Sequence, residues 1–131
     1  LSDRICTALQ LTNFFQDLSA DLDRDRIYLP RDEMENFGVT EEGLKGRRFD
    51  EGFLRLMQFQ VRRAREMFDS GRRLPSLLEG GLRREVRLTW LGGMELLRKI
   101  EWLGFDTLHR RPRLSRADFA RLLAKAVVGG W

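Results

Sequence analysis

Two aspartates, Asp17 and Asp21, stand four residues apart in a stretch that is otherwise largely apolar. On a helix of 3.6 residues per turn, Gln10, Asn13, Asp17 and Asp21 fall within about one quadrant of the wheel, so two amides and two carboxylates point the same way. Like charges at this spacing repel by about a few tenths of a kcal/mol when exposed, and by more in a dry site. A divalent cation would remove that repulsion. Oxygen-only donors of this kind suit the hard ion Mg2+, which keeps several waters and shares its other positions with substrate phosphates.

An Asp-x-x-x-Asp pair is also common on solvated helices, and on spacing alone that plainer reading is favoured. The neighbourhood strengthens the metal reading. Gln10 and Asn13 lengthen the polar face upstream, and Arg24, Arg26 and Tyr28 follow directly downstream. Acceptors for a cation and donors for an anion are thus packed into one short stretch.

The elements that must position these groups are all helical. Leu9, Leu11, Phe14, Phe15, Leu18 and Leu22 cover most of the remaining wheel, so the polar stripe is expected to face a cavity or another helix. The first helix is predicted from about Ser2 to Leu22, ending at the polar run Asp23 to Arg26. Pro30 starts a short helix that ends near Gly38. Thr40, Glu41 and Glu42 resemble another helix start, with Gly43 and Gly46 keeping it short. From about Asp50 the apolar residues Phe53, Leu54, Met57, Val61, Ala64 and Phe68 recur every three or four positions, which predicts a long amphipathic helix to about Ser70. Pro75 is expected to open a helical piece that closes at Gly80 and Gly81. A further long helix is predicted from Leu82 to Leu103, with Gly104 as its stop, and a last one from Ser115, capped with Asp118, to about Val128. No alternation of the strand type competes, so the fold class is all-α.

The run Leu9, Gln10, Leu11, Thr12, Asn13, followed by Asp17, Asp21, Arg26, Tyr28, Leu29 and Pro30, resembles the second aspartate-rich motif of the squalene/phytoene synthase family. Gln16 stands before the first aspartate, where phytoene synthases usually carry Arg, and in this the motif is most similar to the family's bacterial hydroxysqualene synthases. The stretch from Thr89 to Glu101, with Gly92, Gly93 and Met94, resembles their downstream helix. The resemblance runs along nearly the whole chain, including Arg110, Arg111 and Pro112.

The resemblance implies the C-terminal part of an isoprenoid-synthase-type helical bundle. The family carries two aspartate-rich motifs on facing helices, and no Asp-x-x-x-Asp precedes the one found here. The expectation is therefore that residues 1–131 form a single helical segment, the C-terminal half of a synthase domain. Its partner would be the missing N-terminal half or a second copy, because exposed helix faces would leave apolar patches.

In the implied site, Asn13, Asp17 and Asp21 ligate Mg2+, Gln10 orients the diphosphate or the intermediate, and Arg26 and Tyr28 stabilise the departing anion or support the ligands of the metal. Phe14, Phe15 and the helix carrying Gly92 and Gly93 are implied walls for the prenyl chain. The implied reaction is Mg2+-dependent conversion of presqualene diphosphate to hydroxysqualene with release of diphosphate. Head-to-head condensation of prenyl diphosphates, by a presqualene diphosphate or phytoene synthase, stays open. So does a non-catalytic helical module that docks a partner through its polar stripe. Ala20 stands where many relatives place Glu, which removes one acidic contact. Gly92 and Gly93 each cost a helix about 1 kcal/mol relative to alanine. Close approach of a neighbouring helix is one account of the pair, and room for an isoprenoid chain, resting on the resemblance, is the other.

Composition narrows the remaining classes. A chain of 131 residues with 42% hydrophobic and 34% charged residues can form one helical domain with a real core. Its apolar runs are far shorter than the roughly 20 residues of a membrane span. A cytoplasmic location is expected, with peripheral contact at the inner face of a bacterial membrane as a weaker alternative. The single cysteine, Cys6, excludes an internal disulfide and is expected to be a small buried residue with no catalytic role. Net charge is +4, with Arg110, Arg111, Arg113, Arg116, Arg121 and Lys125 clustered late. No nucleic-acid motif accompanies them, so a solvated surface is expected and no nucleic-acid partner. His109 lacks a second metal-ligand candidate at helical spacing and is expected to be an ordinary surface histidine.

Overall fold

Local capping chemistry sets most of the helix boundaries. The computed structural model describes residues 2–128, which form α1 (Ser2–Asp23), α2 (Arg31–Asn36), α3 (Glu41–Lys45), α4 (Glu51–Ser70), a 3-10 turn (Leu74–Leu77), α5 (Gly80–Trp102) and α6 (Arg116–Val128). No strand occurs among the described residues. The Thr40 hydroxyl accepts from the Gly43 N–H at 2.9 Å and starts α3. The Asp50 carboxylate accepts from the Phe53 N–H at 2.9 Å and starts α4. Ser115 and Asp118 satisfy one another's backbone N–H groups, each at 3.0 Å, and so start α6. Each cap of this kind stabilises its helix by about 1 kcal/mol.

The core follows from the apolar periodicity. Phe53, Leu56, Met57, Val61, Ala64 and Phe68 line the buried face of α4. They meet Ile5, Ala8, Phe15, Leu18 and Leu22 of α1 and Trp90, Leu91, Leu97 and Ile100 of α5. α1 packs on both α4 and α5, and α5 in turn carries α6. Removing each large side chain from water contributes about 1.5–3 kcal/mol. Gln60 lies on the buried face of α4, and its amide is satisfied: it donates to Glu33 of α2 and accepts from Arg63 at 2.6 Å. That cluster ties α2 to α4.

Four helices end in one hydrogen-bond pattern with different residues at its critical position. In α2 and α5 the left-handed residue just past the end is Gly38 or Gly104. In α1 and α3 it is Asp25 (φ 59) or Arg47 (φ 56). All four show the paired closing bonds of this C-cap, for example Arg26 N–H to Asp21 C=O at 2.8 Å and Arg48 N–H to Gly43 C=O at 2.8 Å. A residue with a Cβ pays about 1–2 kcal/mol for the left-handed region, so Asp25 and Arg47 need compensation from their side chains.

Two expectations are corrected. Gly80 and Gly81 open α5 and do not close the preceding piece, which is only a 3-10 turn. Gly80 sits at φ +65, the reversal that lets the chain leave the turn and enter the helix. Cys6 is exposed, not buried. It borders an apolar recess of about 260 Å³ with Ile5, Leu74, Leu82 and Val86.

Candidate active site

The polar stripe of α1 lies on an open side of the molecule. Gln10 and Asn13 are exposed, while Asp17 and Asp21 are half-buried. Of the two settings expected for the stripe, a cavity or another helix, no helix covers it among the described residues. What does lie along it is the irregular segment between α5 and α6. Arg111 pairs with Asp17 at 2.6 Å, and the Gln16 amide donates to the Pro112 carbonyl at 3.0 Å. The two side chains of the Asp17–Arg111 pair are 38% and 41% exposed, so the pair is worth about 1 kcal/mol or less and leaves the carboxylate exchangeable.

Asp21 is fixed through its backbone. Its carbonyl accepts from the N–H groups of Arg24 at 3.0 Å and Arg26 at 2.8 Å. The turn that closes α1 thereby sets Arg26 directly behind the second aspartate, with the Arg26 side chain exposed. The chain then brings Tyr28 back over Phe14, where the rings stack with centroids 4.8 Å apart and planes 8° from parallel. Tyr28 remains 46% exposed, so its phenol is accessible while its ring is held. Asp17, Asp21, Arg26, Tyr28 and Phe14 are thus organised by one helix and the turn after it.

Gly93 is held elsewhere. A Cβ on Gly93 would lie 2.3 Å from Cζ of Phe68, so the space left by the missing side chain is filled by a ring of the core. The neighbouring Trp90 Nε1–H donates to the Phe68 carbonyl at 2.7 Å and locks the two helices together. Close approach of α4 and α5 accounts for this glycine. Gly92 differs, since a Cβ there would meet only Leu114 at 3.7 Å.

Asn13, Asp17 and Asp21 present only oxygen ligands on one accessible face, which is the chemistry Mg2+ prefers. Among the described residues no group of three or more His, Cys, Asp or Glu side chains converges to hold a metal. The fit to a hard cation is thus one of donor type, with no closed metal site formed among the described residues.

The late basic cluster is mostly solvated, with two exceptions: Arg111 serves Asp17, and Arg121 lies 3.2 Å from Glu95 of α5. Glu95 is largely buried. Hydrogen bonding from Arg98 holds its carboxyl below the usual range, with Arg121 adding to the effect. His109 is exposed and its Nδ1 lies 3.1 Å from Asp106. The sequence reading missed the pairing of Arg111 with Asp17 and the anchoring of Pro112 by Gln16. Both span more than ninety residues of chain, and no local spacing signals such contacts.

The helical arrangement is that of the isoprenoid synthases. The crystal structure of squalene synthase HpnC from Alicyclobacillus acidocaldarius aligns with a TM-score of 0.76 and 43% sequence identity, covering 79% of this chain and 40% of that one. The squalene/phytoene synthase family model matches residues 1–118, and the chain belongs to that family. Phytoene synthase of Thermus thermophilus is 37% identical over 121 residues, which is 92% of this chain and 42% of that protein. The 15-cis-phytoene synthase of Synechococcus elongatus is 35% identical over 104 residues, or 79% of this chain and 34% of the relative. The chain thus spans about two fifths or less of the length of these relatives.

Proposed function

We propose that this chain is the C-terminal part of a synthase that releases diphosphate from presqualene diphosphate and yields hydroxysqualene. The observation that carries the reading is the open edge of α1, where Asp17 and Asp21 stand one turn apart with Arg111, Arg26 and Tyr28 around them. Asn13, Asp17 and Asp21 would hold Mg2+, and Gln10 would orient the diphosphate. The bound metal would neutralise diphosphate oxygens and make the group a better leaving anion. Arg26 and Tyr28 would add donors to that anion. Phe14, beneath Tyr28, would offer an aromatic face to the carbocation and keep stray water away. The bond from carbon to the diphosphate oxygen breaks, the cyclopropyl carbon skeleton rearranges, and one water supplies the hydroxyl and loses a proton. Gly93 would act as a wall only through the helix it allows to pack closely.

Two observations favour this branch. Identity to the squalene synthase HpnC is 43% over 79% of this chain, against 37% over 92% of it for the Thermus phytoene synthase. At the position where phytoene synthases usually carry Arg, the Gln16 amide donates to the Pro112 carbonyl and supplies no cationic group. The head-to-head condensing reading rests on the phytoene synthases among the relatives. The remaining oxygen donors would come from the part of the family fold that the relatives have beyond this chain's share. A cytoplasmic enzyme touching the inner face of a bacterial membrane is in keeping with Phe119, Leu123 and Val127, exposed on α6 beside Arg116 and Lys125. No helix among the described residues is long and apolar enough to cross a membrane.

The test is an assay of the full-length protein with Mg2+ and presqualene diphosphate, without a nicotinamide cofactor, with products resolved by mass. Diphosphate and hydroxysqualene are expected. Turnover of farnesyl or geranylgeranyl diphosphate, with presqualene diphosphate left intact, would favour the condensing enzyme. No turnover of any prenyl diphosphate would leave the non-catalytic docking module.

A further inference from the structure

We propose that Arg47 is a positioning residue for the diphosphate site: its guanidinium fixes the end of α1 that carries Asp21 and Arg26 against the segment that carries Arg111. The inference rests on the function proposed above. Arg47 touches none of the candidate metal ligands, and its role is read from what it joins.

Its backbone is the first observation. Arg47 occupies the left-handed position that closes α3, at φ 56, where α2 and α5 use glycine. Its N–H closes on the Leu44 carbonyl at 2.9 Å. A glycine would satisfy the same backbone pattern without strain, so the arginine side chain must supply the compensation.

The side chain does so by joining three separate parts of the chain. Nη1 donates to the Ser19 hydroxyl at 2.9 Å and to the Leu108 carbonyl at 2.8 Å. Nη2 donates to Asp23. Only 25% of the side chain is exposed, so this guanidinium is held far more firmly than a typical surface arginine. Ser19 lies between Asp17 and Asp21, Asp23 lies two residues beyond, and Leu108 is a buried residue three positions before Arg111. Beside it, Lys45 pairs with Asp25 at 2.9 Å, and Asp25 is itself the left-handed residue that closes α1. The last turns of α1 and α3 are therefore fastened at two points, but only Arg47 also reaches the α5–α6 segment. A fork of donors can make these bonds together; a lysine ammonium presents a single centre and cannot span the same three acceptors.

The test compares wild type with Arg47→Ala, Arg47→Lys and Ser19→Ala in the full-length protein. Activity with Mg2+ and a prenyl diphosphate is read alongside hydrogen exchange of residues 19–26 and 106–113. Arg47→Ala should lower kcat about 10- to 100-fold, the range found for groups that orient metal ligands, and should move the Mg2+ dependence to higher concentration. Added methylguanidinium should restore part of the loss, Arg47→Lys should remain impaired, and Ser19→Ala should show a smaller defect of the same kind. Both segments should lose exchange protection together in Arg47→Ala. A variant that melts earlier but keeps wild-type kcat, KM and Mg2+ dependence well below its melting temperature would overturn the proposal and leave Arg47 a purely structural tie. If wild type itself turns over no prenyl diphosphate, the functional reading fails. Exchange then still decides whether Arg47 couples the two segments, and independent protection would overturn the coupling.

Discussion

The acidic edge of α1 and the glycine pair of α5 both hold residues that a helix does not favour, and the fold treats them in opposite ways. Asp17 and Asp21 stay accessible, and the only partner close to either carboxylate among the described residues is an exchangeable arginine. Gly93 is consumed by packing, with the Phe68 ring filling the volume of the absent side chain. An unfavourable residue is thus a marker of function only where the surrounding structure leaves its chemical group free. Where the group is a void, the core fills it, because interiors pack to near-crystalline density.

The largest effect expected from this contrast is on activity alone. Asp17→Asn or Asp21→Asn in the full-length protein should lower turnover about a hundredfold or more, since charge stabilisation by a bound metal is worth several kcal/mol and each 1.36 kcal/mol is tenfold. Thermal melts of the same variants should move little, because the Asp17–Arg111 pair is solvent-exposed. Next comes a change in stability. Phe68→Ala should cost about 3–5 kcal/mol in denaturant melts, and Gly93→Ala about 1–3 kcal/mol through overpacking. Combining Gly93→Ala with Phe68→Leu should cost less than the sum of the two single changes, because the smaller side chain frees the space that the new methyl needs. Equal and additive costs would show that the two residues do not share that space.

The smallest effect is in acid. Glu95 and Asp118, which join α5 to α6, both have carboxyl groups held below their usual range, by Arg98 and Lys99 respectively. A folded-state value below the unfolded one stabilises the protein at pH above the carboxylate range, and the stability is lost as pH falls through it. Denaturant melts from neutral to acidic pH should show that loss, and Glu95→Gln should flatten the acid limb. An unchanged acid limb in Glu95→Gln would remove Glu95 from the account.

Much of the helical framework is legible in the sequence because its signals are local. Thr40, Asp50 and the Ser115–Asp118 pair act within one turn, and Gly38 and Gly104 mark ends by their own conformation. The ends of α1 and α3 are legible too, from the polar run Asp23 to Arg26 and from Gly46, but the left-handed backbone of Asp25 and Arg47 is not, since nothing local distinguishes them from ordinary charged residues. Gly80 misleads for a related reason: a left-handed glycine serves the start of α5 as well as it would the end of the piece before it. The exposure of Cys6 is not legible because α1 is apolar over much of its circumference, so the wheel does not reveal which arc is covered. In the site, the composition of the α1 edge is legible. Its connections to Arg111, Pro112 and Leu108 are not, because they depend on how α5 lies across α1.

The most direct test of the central claim is a calorimetric titration of inorganic diphosphate into the full-length protein, with and without Mg2+, for wild type and the Asp17→Asn, Asp21→Asn double variant. The account predicts Mg2+-dependent binding in wild type that is lost in the folded variant. Diphosphate binding that persists unchanged in the variant would contradict it.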